Sequence, residues 1–338
     1  MSENKPAGWH QVLLLVAPFL ALILSLFVGR YEITPGEVVK VLFSPFVPVQ
    51  PGTLAIEKSV ILAGRLPRVI LAMLVGAGLG VSGAAFQGLF RNPLVSPDIL
   101  GVTSGSAFGA ILAILLGGQS VLIQFFAVPF GIASVFIAYG LSRTHHGDSR
   151  LLLVLAGMVI STVFTALISL IKYIADPYDE LPTITYWLMG SLASASYADL
   201  RLVALPIMGG MVILLLVRWK INILSLGEEE ARSLGVNIEQ LKWLIIGAVT
   251  VVTAAAVSVT GIIGWVGLII PHIGRMIVGP DHKTLLPASA SLGATFLVLI
   301  DLIGRTATAA EIPLGILTAI SGAPFFVFLL KRTGGYWT

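Results

Sequence analysis

Residues 99–142 read ILGVTSGSAFGAILAILLGGQSVLIQFFAVPFGIASVFIAYGLS and contain no Asp, Glu, Lys or Arg. A membrane-spanning helix needs about 20 apolar residues, so this stretch is too long for one crossing. The run Gly117-Gly118-Gln119-Ser120 lies near its middle and is typical of a turn. Gly101, Gly105 and Gly109 are spaced by four residues, which permits close helix packing in lipid. The sequence therefore predicts two membrane helices here, joined by a short turn.

The whole chain has the composition of a membrane protein. Of its 338 residues, 57% are hydrophobic and 11% are charged, and the mean hydropathy is +0.98. An ordinary soluble domain has about 25% charged residues and cannot bury this much apolar surface. The absence of cysteine excludes disulfides and thiolate chemistry. The net charge is +3, and the basic residues do not cluster as they do in nucleic-acid-binding proteins. Membrane lipid is therefore an expected partner and nucleic acid is not.

Further apolar stretches complete an all-α membrane protein with about ten spans. Residues 11–29 are expected to be a retained first span, because they exceed the roughly 7–15 residues of a signal-peptide core. A cleaved signal is the alternative. Residues 264–279, which include Pro271, are the least regular span. Besides the pair in 99–142, the predicted spans are 11–29, 69–90, 151–171, 202–217, 243–262, 264–279, 285–303 and 312–330.

The distribution of Lys and Arg between alternate loops predicts the orientation. With the N-terminus inside, twelve of the 20 Lys and Arg residues fall on the cytoplasmic side and eight on the other. This bias predicts cytoplasmic N- and C-termini for a single membrane domain over residues 1–338. It makes 30–64 and 174–200 outer loops, with a surface helix at 185–192, and 218–242 the largest inner loop.

The inner loop is the one strongly polar, amphipathic segment of the chain. Ser225 and Glu228 have the spacing of a capping box, and Gly235 is suited to end a helix. Acidic residues precede Arg232, which matches the helix macrodipole. The pattern predicts a short cytoplasmic helix, which is either a contact for a motor protein or a solvated connector.

Motifs for bond chemistry are absent from the sequence. It contains no G-x-x-x-x-G-K-[ST], H-E-x-x-H or G-x-S-x-G motif, so no ATP site, metal site or catalytic residue is expected in this chain. No predicted helix centre is expected to carry an ionisable residue, although secondary carriers usually need one. A carrier or channel that works without an ATPase is the main alternative class, and a membrane enzyme is a more remote one.

Arginines mark the outer ends of two predicted spans. Arg65 and Arg68 flank Leu66-Pro67 at the start of one span, and Arg305 lies at the end of another. Anchoring at the membrane interface is the ordinary explanation for such residues. The functional alternative is a cationic rim that binds the carboxylates of a docking protein.

Several stretches resemble the FecCD family of iron-siderophore and vitamin B12 permeases, which are type II ABC importers. They occur in the order of that family and cover most of the chain. The stretches are RLPR at 65–68, GAGLGVSGAAFQGLFRNPLVSPDILGVTSGSAFG at 76–109, LGEEEARSLGVN at 226–237, GIIGWVGLIIPHIGRMIVGPDHK at 261–283 and EIPLGILTAISGAPFFVFLLKR at 311–332.

The resemblance implies a homodimer of ten-helix permease subunits in a bacterial or archaeal plasma membrane. Two ATP-binding-cassette ATPase subunits would bind inside and a periplasmic or lipid-anchored substrate-binding protein outside. ATP and Mg would belong to the ATPase, so this chain would hold no cofactor. The cargo would be a metal chelate that crosses by alternating access. Ferric siderophore is expected first and haem or cobalamin next, with molybdate or tungstate as the alternative.

The resemblance also implies roles for particular residues. Arg65, Arg68 and Arg305 would pair with glutamates of the binding protein, and residues 151–171 and 312–330 would line the pathway. The implied ATPase-coupling residues are Glu228, Glu229, Glu230, Ala231, Arg232, Leu234 and Gly235. The candidate pathway residues are Ser161, Thr162, Thr165, Thr318 and Ser321.

Overall fold

The computed structural model describes residues 8–44, 54–118, 120–142 and 149–333, which form α-helices and no β-strand. In chain order the helices are α1 (Gly8–Phe27), α2 (Pro35–Phe43), α3 (Ala55–Lys58), α4 (Leu66–Phe90), α5 (Val102–Leu115), α6 (Ser120–Ser142), α7 (Ser149–Ile174), α8 (Glu180–Leu188), α9 (Tyr197–Leu226), α10 (Glu228–Ser233), α11 (Ile238–Thr260), α12 (Val266–Val278), α13 (His282–Thr306) and α14 (Leu314–Thr333). A π-helical segment, Ser59–Arg65, joins α3 to α4, and a 3-10 turn, Pro97–Leu100, precedes α5.

Apolar helices occupy the predicted spans and confirm the all-α membrane fold. Within the described ranges, six helical segments are long and apolar enough to cross a membrane, namely Ala55–Phe90, Val121–Ser142, Leu151–Ile174, Tyr197–Leu226, Ile238–Thr260 and His282–Thr306. Shorter apolar helices, α1, α5, α12 and α14, coincide with the other predicted spans. The chain is therefore a multi-pass membrane protein. The number of crossings and the orientation stay predictions; we call the end that holds residues 28–34, 175–196 and 307–313 the outer end.

α4 is the central helix, and every residue from Gly78 to Leu89 is buried. It packs most extensively against α13, where a Cβ on Gly76 would overlap the carbonyl oxygen of Gly293. Gly109 on α5 likewise faces the backbone of Phe126 on α6. Small residues thus allow these helices to approach closely, as the glycine spacing in 99–142 predicts.

Three predicted segments have different boundaries in the structure. Part of the outer loop 30–64 is helical, because 55–65 continues directly into α4. The inner loop 218–242 shrinks to 227–237, because Ile221 and Leu224 are buried in the core and carry α9 to Leu226. The expected surface helix at 185–192 is α8, which begins five residues earlier.

Candidate functional site

α10 forms a short helical projection at the inner end, between α9 and α11. Gly227 joins α9 to α10 at a φ of 150°, a conformation that side chains disfavour. Ala231 and Val236 are buried in the same core cluster as Leu224, and the Val236 N–H donates to the Ala231 carbonyl at 3.0 Å. Gly235 has a φ of 76° and ends the helix, as predicted.

The remaining described side chains of this segment face outward. Glu229, Glu230 and Arg232 are exposed, and Leu234 is 61% exposed. Two grooves, of about 540 and 420 Å³, flank residues 234–237. The first is lined by Arg232, Gly235, Val236, Asn237, Ile238, Glu239 and Lys242, and the second by Trp219, Lys220, Leu234, Gly235, Val236, Asn237, Gln240, Leu241 and Leu244. The side chain of Glu228 lies outside the described ones. An exposed leucine among charges and beside a groove of mixed polar and apolar lining is suited to a protein contact.

The predicted capping box is wrong. Ser225 lies inside α9, where its hydroxyl donates to the Ile221 carbonyl at 3.0 Å, and Gly227 occupies the N-cap position of α10. The glycine at each end and the buried Ala231 therefore position α10, rather than a side-chain cap.

At the outer end, Arg68 of α4 lies between two carboxylates. It donates to both oxygens of Asp301 on α13, at 2.8 to 3.1 Å, and to both oxygens of Glu311, at 2.8 and 3.0 Å. Arg305 lies one turn after Asp301, with its Nε 3.8 Å from a carboxylate oxygen. Its Nη2 donates to the backbone and the hydroxyl of Ser25 on α1. These contacts join α1, α4, α13 and the segment before α14.

Arg65 completes this group, which we call the outer cluster: Arg65, Arg68, Asp301, Arg305 and Glu311. The Arg65 guanidinium donates to the carbonyls of Leu26 and Tyr31, each at 2.6 Å. Arg65 and Arg305 are buried, so neither extends into a cationic rim in this conformation. Glu311 is the most exposed member, with 24% of its side chain accessible. Burial alone would raise its pKa, but hydrogen bonds and charge from Arg68 hold the pKa of Glu311 below its usual value.

Sequence reasoning missed charged groups inside apolar helices. Asp301 lies within the predicted span 285–303, and it is the one charged residue there, a signal that favours a buried partner. Arg275 lies within α12, inside the predicted span 264–279, and donates to the Gln87 side chain of α4 at 2.6 Å. Across the described ranges, no group of three or more His, Asp or Glu side chains could hold a metal ion.

The candidate pathway residues differ in their exposure. Thr162, Thr165 and Ser321 are exposed and Ser161 is half-buried. Thr318 is fully buried, so it does not line an open surface in this conformation. The hydroxyls donate within their own helices, Thr162 to Met158, Thr165 to Ser161, Thr318 to Gly315 and Ser321 to Leu317, at 2.8 to 3.2 Å. α7 packs on α5 and α6, whereas α14 packs on α12 and α13.

The multi-pass helical fold is that of a membrane permease, and similarity to known proteins gives its family. The model of the FecCD transport family matches residues 14–332, so the chain belongs to this family of ABC importer permeases, which are not themselves catalytic. The molybdate import permease MolB of Haemophilus influenzae is 42% identical over 315 residues, 92% of this chain and 93% of that protein.

Other relatives and a solved structure support the same family. A protein of Helicobacter pylori named a probable iron chelatin transport permease is 43% identical over 276 residues, 82% of this chain and 83% of that protein. Further relatives are named for hemin and cobalamin. A solved structure described as an inward-facing metal-chelate type ABC transporter is 40% identical, with a TM-score of 0.86 over 95% of this chain and 99% of that one.

Proposed function

We propose that two copies of this chain form the permease of an ATP-driven importer in a bacterial or archaeal plasma membrane. Two ATPase subunits bind α10 and its flanking grooves, and a substrate-binding protein delivers a metal chelate to the outer end. Binding-protein docking and ATP binding favour one arrangement of the helices, and hydrolysis resets it. The chain provides a path and its gates, and its partners provide the energy.

The observation that carries this proposal is the construction of α10. A helix of six residues would be marginal in water on its own. Here the buried Ala231 ties it to the membrane core, so a force applied to its exposed face reaches α9 and α11. A solvated connector needs neither a buried anchor nor a 61% exposed leucine at the edge of a groove.

A second copy would pack on the exposed apolar faces of α7 and α14. Met158, Val163 and Leu170 are exposed on α7, and Ile320 and Val327 on α14. The two helices are held on different neighbours within one chain, so a pathway between them needs a partner subunit. Hydroxyls that donate to their own backbone leave a neutral lining without strong binding groups, which suits passage rather than capture.

Docking of the binding protein is proposed to act through Arg68. The resemblance implies Arg65 and Arg305 as well, but these two guanidinium groups are engaged with the backbone of α1 and the residues after it. Arg68 becomes available if a glutamate of the binding protein replaces Glu311, because Glu311 is the most exposed carboxylate in the outer cluster.

For the cargo we propose a ferric chelate first. The neutral candidate lining does not select for it, and the support comes from the relative named for iron chelatin. Molybdate is the second candidate, and its support is the relative named for it, which aligns over 92% of this chain. Uptake of radiolabelled ferric siderophore and of radiolabelled molybdate into vesicles that contain the complete importer would distinguish the two.

Gentle affinity purification from native membranes tests the importer class. We expect a stoichiometric ATPase to co-purify with the wild-type chain and to be lost from Leu234→Asp. Thr183→Ala on α8, at the outer end, is the control; the Thr183 hydroxyl donates to the Asp179 carbonyl at 3.0 Å. A chain that purifies alone and moves solute along an ion gradient would instead be a secondary carrier.

A further inference from the structure

Asn222 lies one turn before the end of α9, close to the junction with α10. Its side-chain oxygen accepts hydrogen bonds from the backbone N–H and the ring Nδ1 of His282, each at 2.8 Å. Its amide nitrogen donates to Asp281 at 2.5 Å. Because the backbone N–H can only donate, the amide orientation is fixed, and the His282 ring must carry its proton on Nδ1. One side chain thus holds both residues that begin α13.

Asp281 is itself the N-cap of α13. The oxygen that accepts from Asn222 also accepts from the Lys283 N–H, at 2.8 Å. Burial alone would raise the pKa of Asp281, but these two hydrogen bonds hold it below its usual value. Asp281 is therefore an anion at neutral pH, and Asn222 links α9 to the turn between α12 and α13 through a charged acceptor.

The end of α4 meets the same junction. A Cβ on Gly88 would overlap both Ile221, the buried residue before Asn222, and the ring of His282. Beyond α4 the chain passes through the 3-10 turn 97–100, where the carbonyl of Ile99 fills the space beside Gly157 of α7. Continuous contacts therefore run from α10 through the end of α9 to α13, α4 and the candidate pathway helix α7.

We propose that Asn222 is a positioning residue that transmits displacement of α10 to the turn between α12 and α13. With this link the inner ends of α9, α13 and α4 move together when the ATPase moves α10. Without this link, displacement of α10 moves the inner end of α9 but not those of α13 and α4. This inference rests on the proposed function, because it needs a motor at α10.

A donor–acceptor exchange tests the link. Asn222→Asp places a carboxylate against Asp281, where like charges repel. Asp281→Asn keeps a cap for α13 and an acceptor for Asn222. Ser225→Ala is the control, since that hydroxyl bonds only within α9.

The measurement is cargo transported per ATP hydrolysed by the reconstituted complex, together with ATPase association and thermal stability. We expect Asn222→Asp to lower transport per ATP on the order of tenfold with the ATPase still bound. Asp281→Asn and Ser225→Ala should remain near wild type. If Asn222→Asp does not assemble, Asn222→Ser removes the link without adding charge, and the same loss is expected.

Two results would overturn the inference. One is an unchanged transport per ATP in both Asn222 variants. The other is an equal loss in Ser225→Ala, which would assign the effect to a general disturbance at the end of α9. Uptake by the wild-type importer tests the proposed function separately. If the wild type imports cargo and the Asn222 variants transport as much cargo per ATP, only this inference is rejected.

Discussion

Arg68 on α4 and Asp301 on α13 form a bidentate ion pair, with nitrogen–oxygen distances of 2.8 to 3.1 Å. The side chain of Asp301 is 1% exposed and that of Arg68 is 11% exposed. The pair joins the two most extensively packed helices of the protein. Each charge is tolerated there because the other is present.

Asp301→Asn should destabilise the protein by about 3 kcal/mol, because it leaves Arg305 and part of Arg68 without a counter-charge in a buried setting. Thermal unfolding in detergent would measure the loss. Ser25→Ala is the control, since it removes one hydroxyl acceptor of Arg305 and leaves the backbone acceptor in place. A melting temperature for Asp301→Asn as high as that of Ser25→Ala would mean that the charge pair contributes little.

Glu311→Gln should raise the affinity of the substrate-binding protein, because it weakens the intramolecular competitor for Arg68. Arg68→Glu should lower that affinity, while ATPase association stays intact. Binding of the purified binding protein to the permease in nanodiscs would measure both effects. If Glu311→Gln changes stability but leaves docking unchanged, Arg68 has a structural role only.

Acid should loosen the outer cluster. The folded-state pKa of Glu311 lies below its usual value of about 4.3. Its stabilising contribution is therefore complete at neutral pH and is lost as the pH falls through that lowered pKa. We expect the difference in melting temperature between wild type and Glu311→Gln to shrink as the pH falls below the usual pKa of a glutamate. Glu229→Gln, at an exposed glutamate, is the control for the loss of one carboxylate. If the difference in melting temperature between wild type and Glu311→Gln persists in acid, the stabilising role assigned to the Glu311 carboxylate is contradicted.

Gly76→Ala should destabilise the protein strongly, because the new Cβ would overlap backbone atoms of Gly293 that cannot move aside as a side chain can. Gly247→Ala in α11 is the matched control. Nothing lies within 4 Å of a Cβ there, so the change should stabilise the helix by about 0.5 to 1 kcal/mol. Unfolding of both variants in the same detergent would compare them, and equal melting temperatures would show that the helices can separate at little cost.

The sequence predicts some parts of the site and misses others. The short helix after residue 226 and its stop at Gly235 follow from local residue types, which act over a few positions. The capping box fails, because Ser225 continues α9 once Ile221 and Leu224 are buried against other helices. Asn222 carries no signal of its own, since its partners lie 59 and 60 residues away.

The amino-acid sequence by itself determines the helical membrane fold, the family and the place of the inner projection. In lipid each backbone group must be satisfied within its own segment, so composition and span length decide the fold locally. Only the tertiary structure decides what the charged residues do. The sequence predicts that Arg68 lies at the start of a span, but the structure buries its side chain against Asp301, 233 residues away. Ion pairs of this kind depend on which helices become neighbours, and that choice is made by packing across the whole chain.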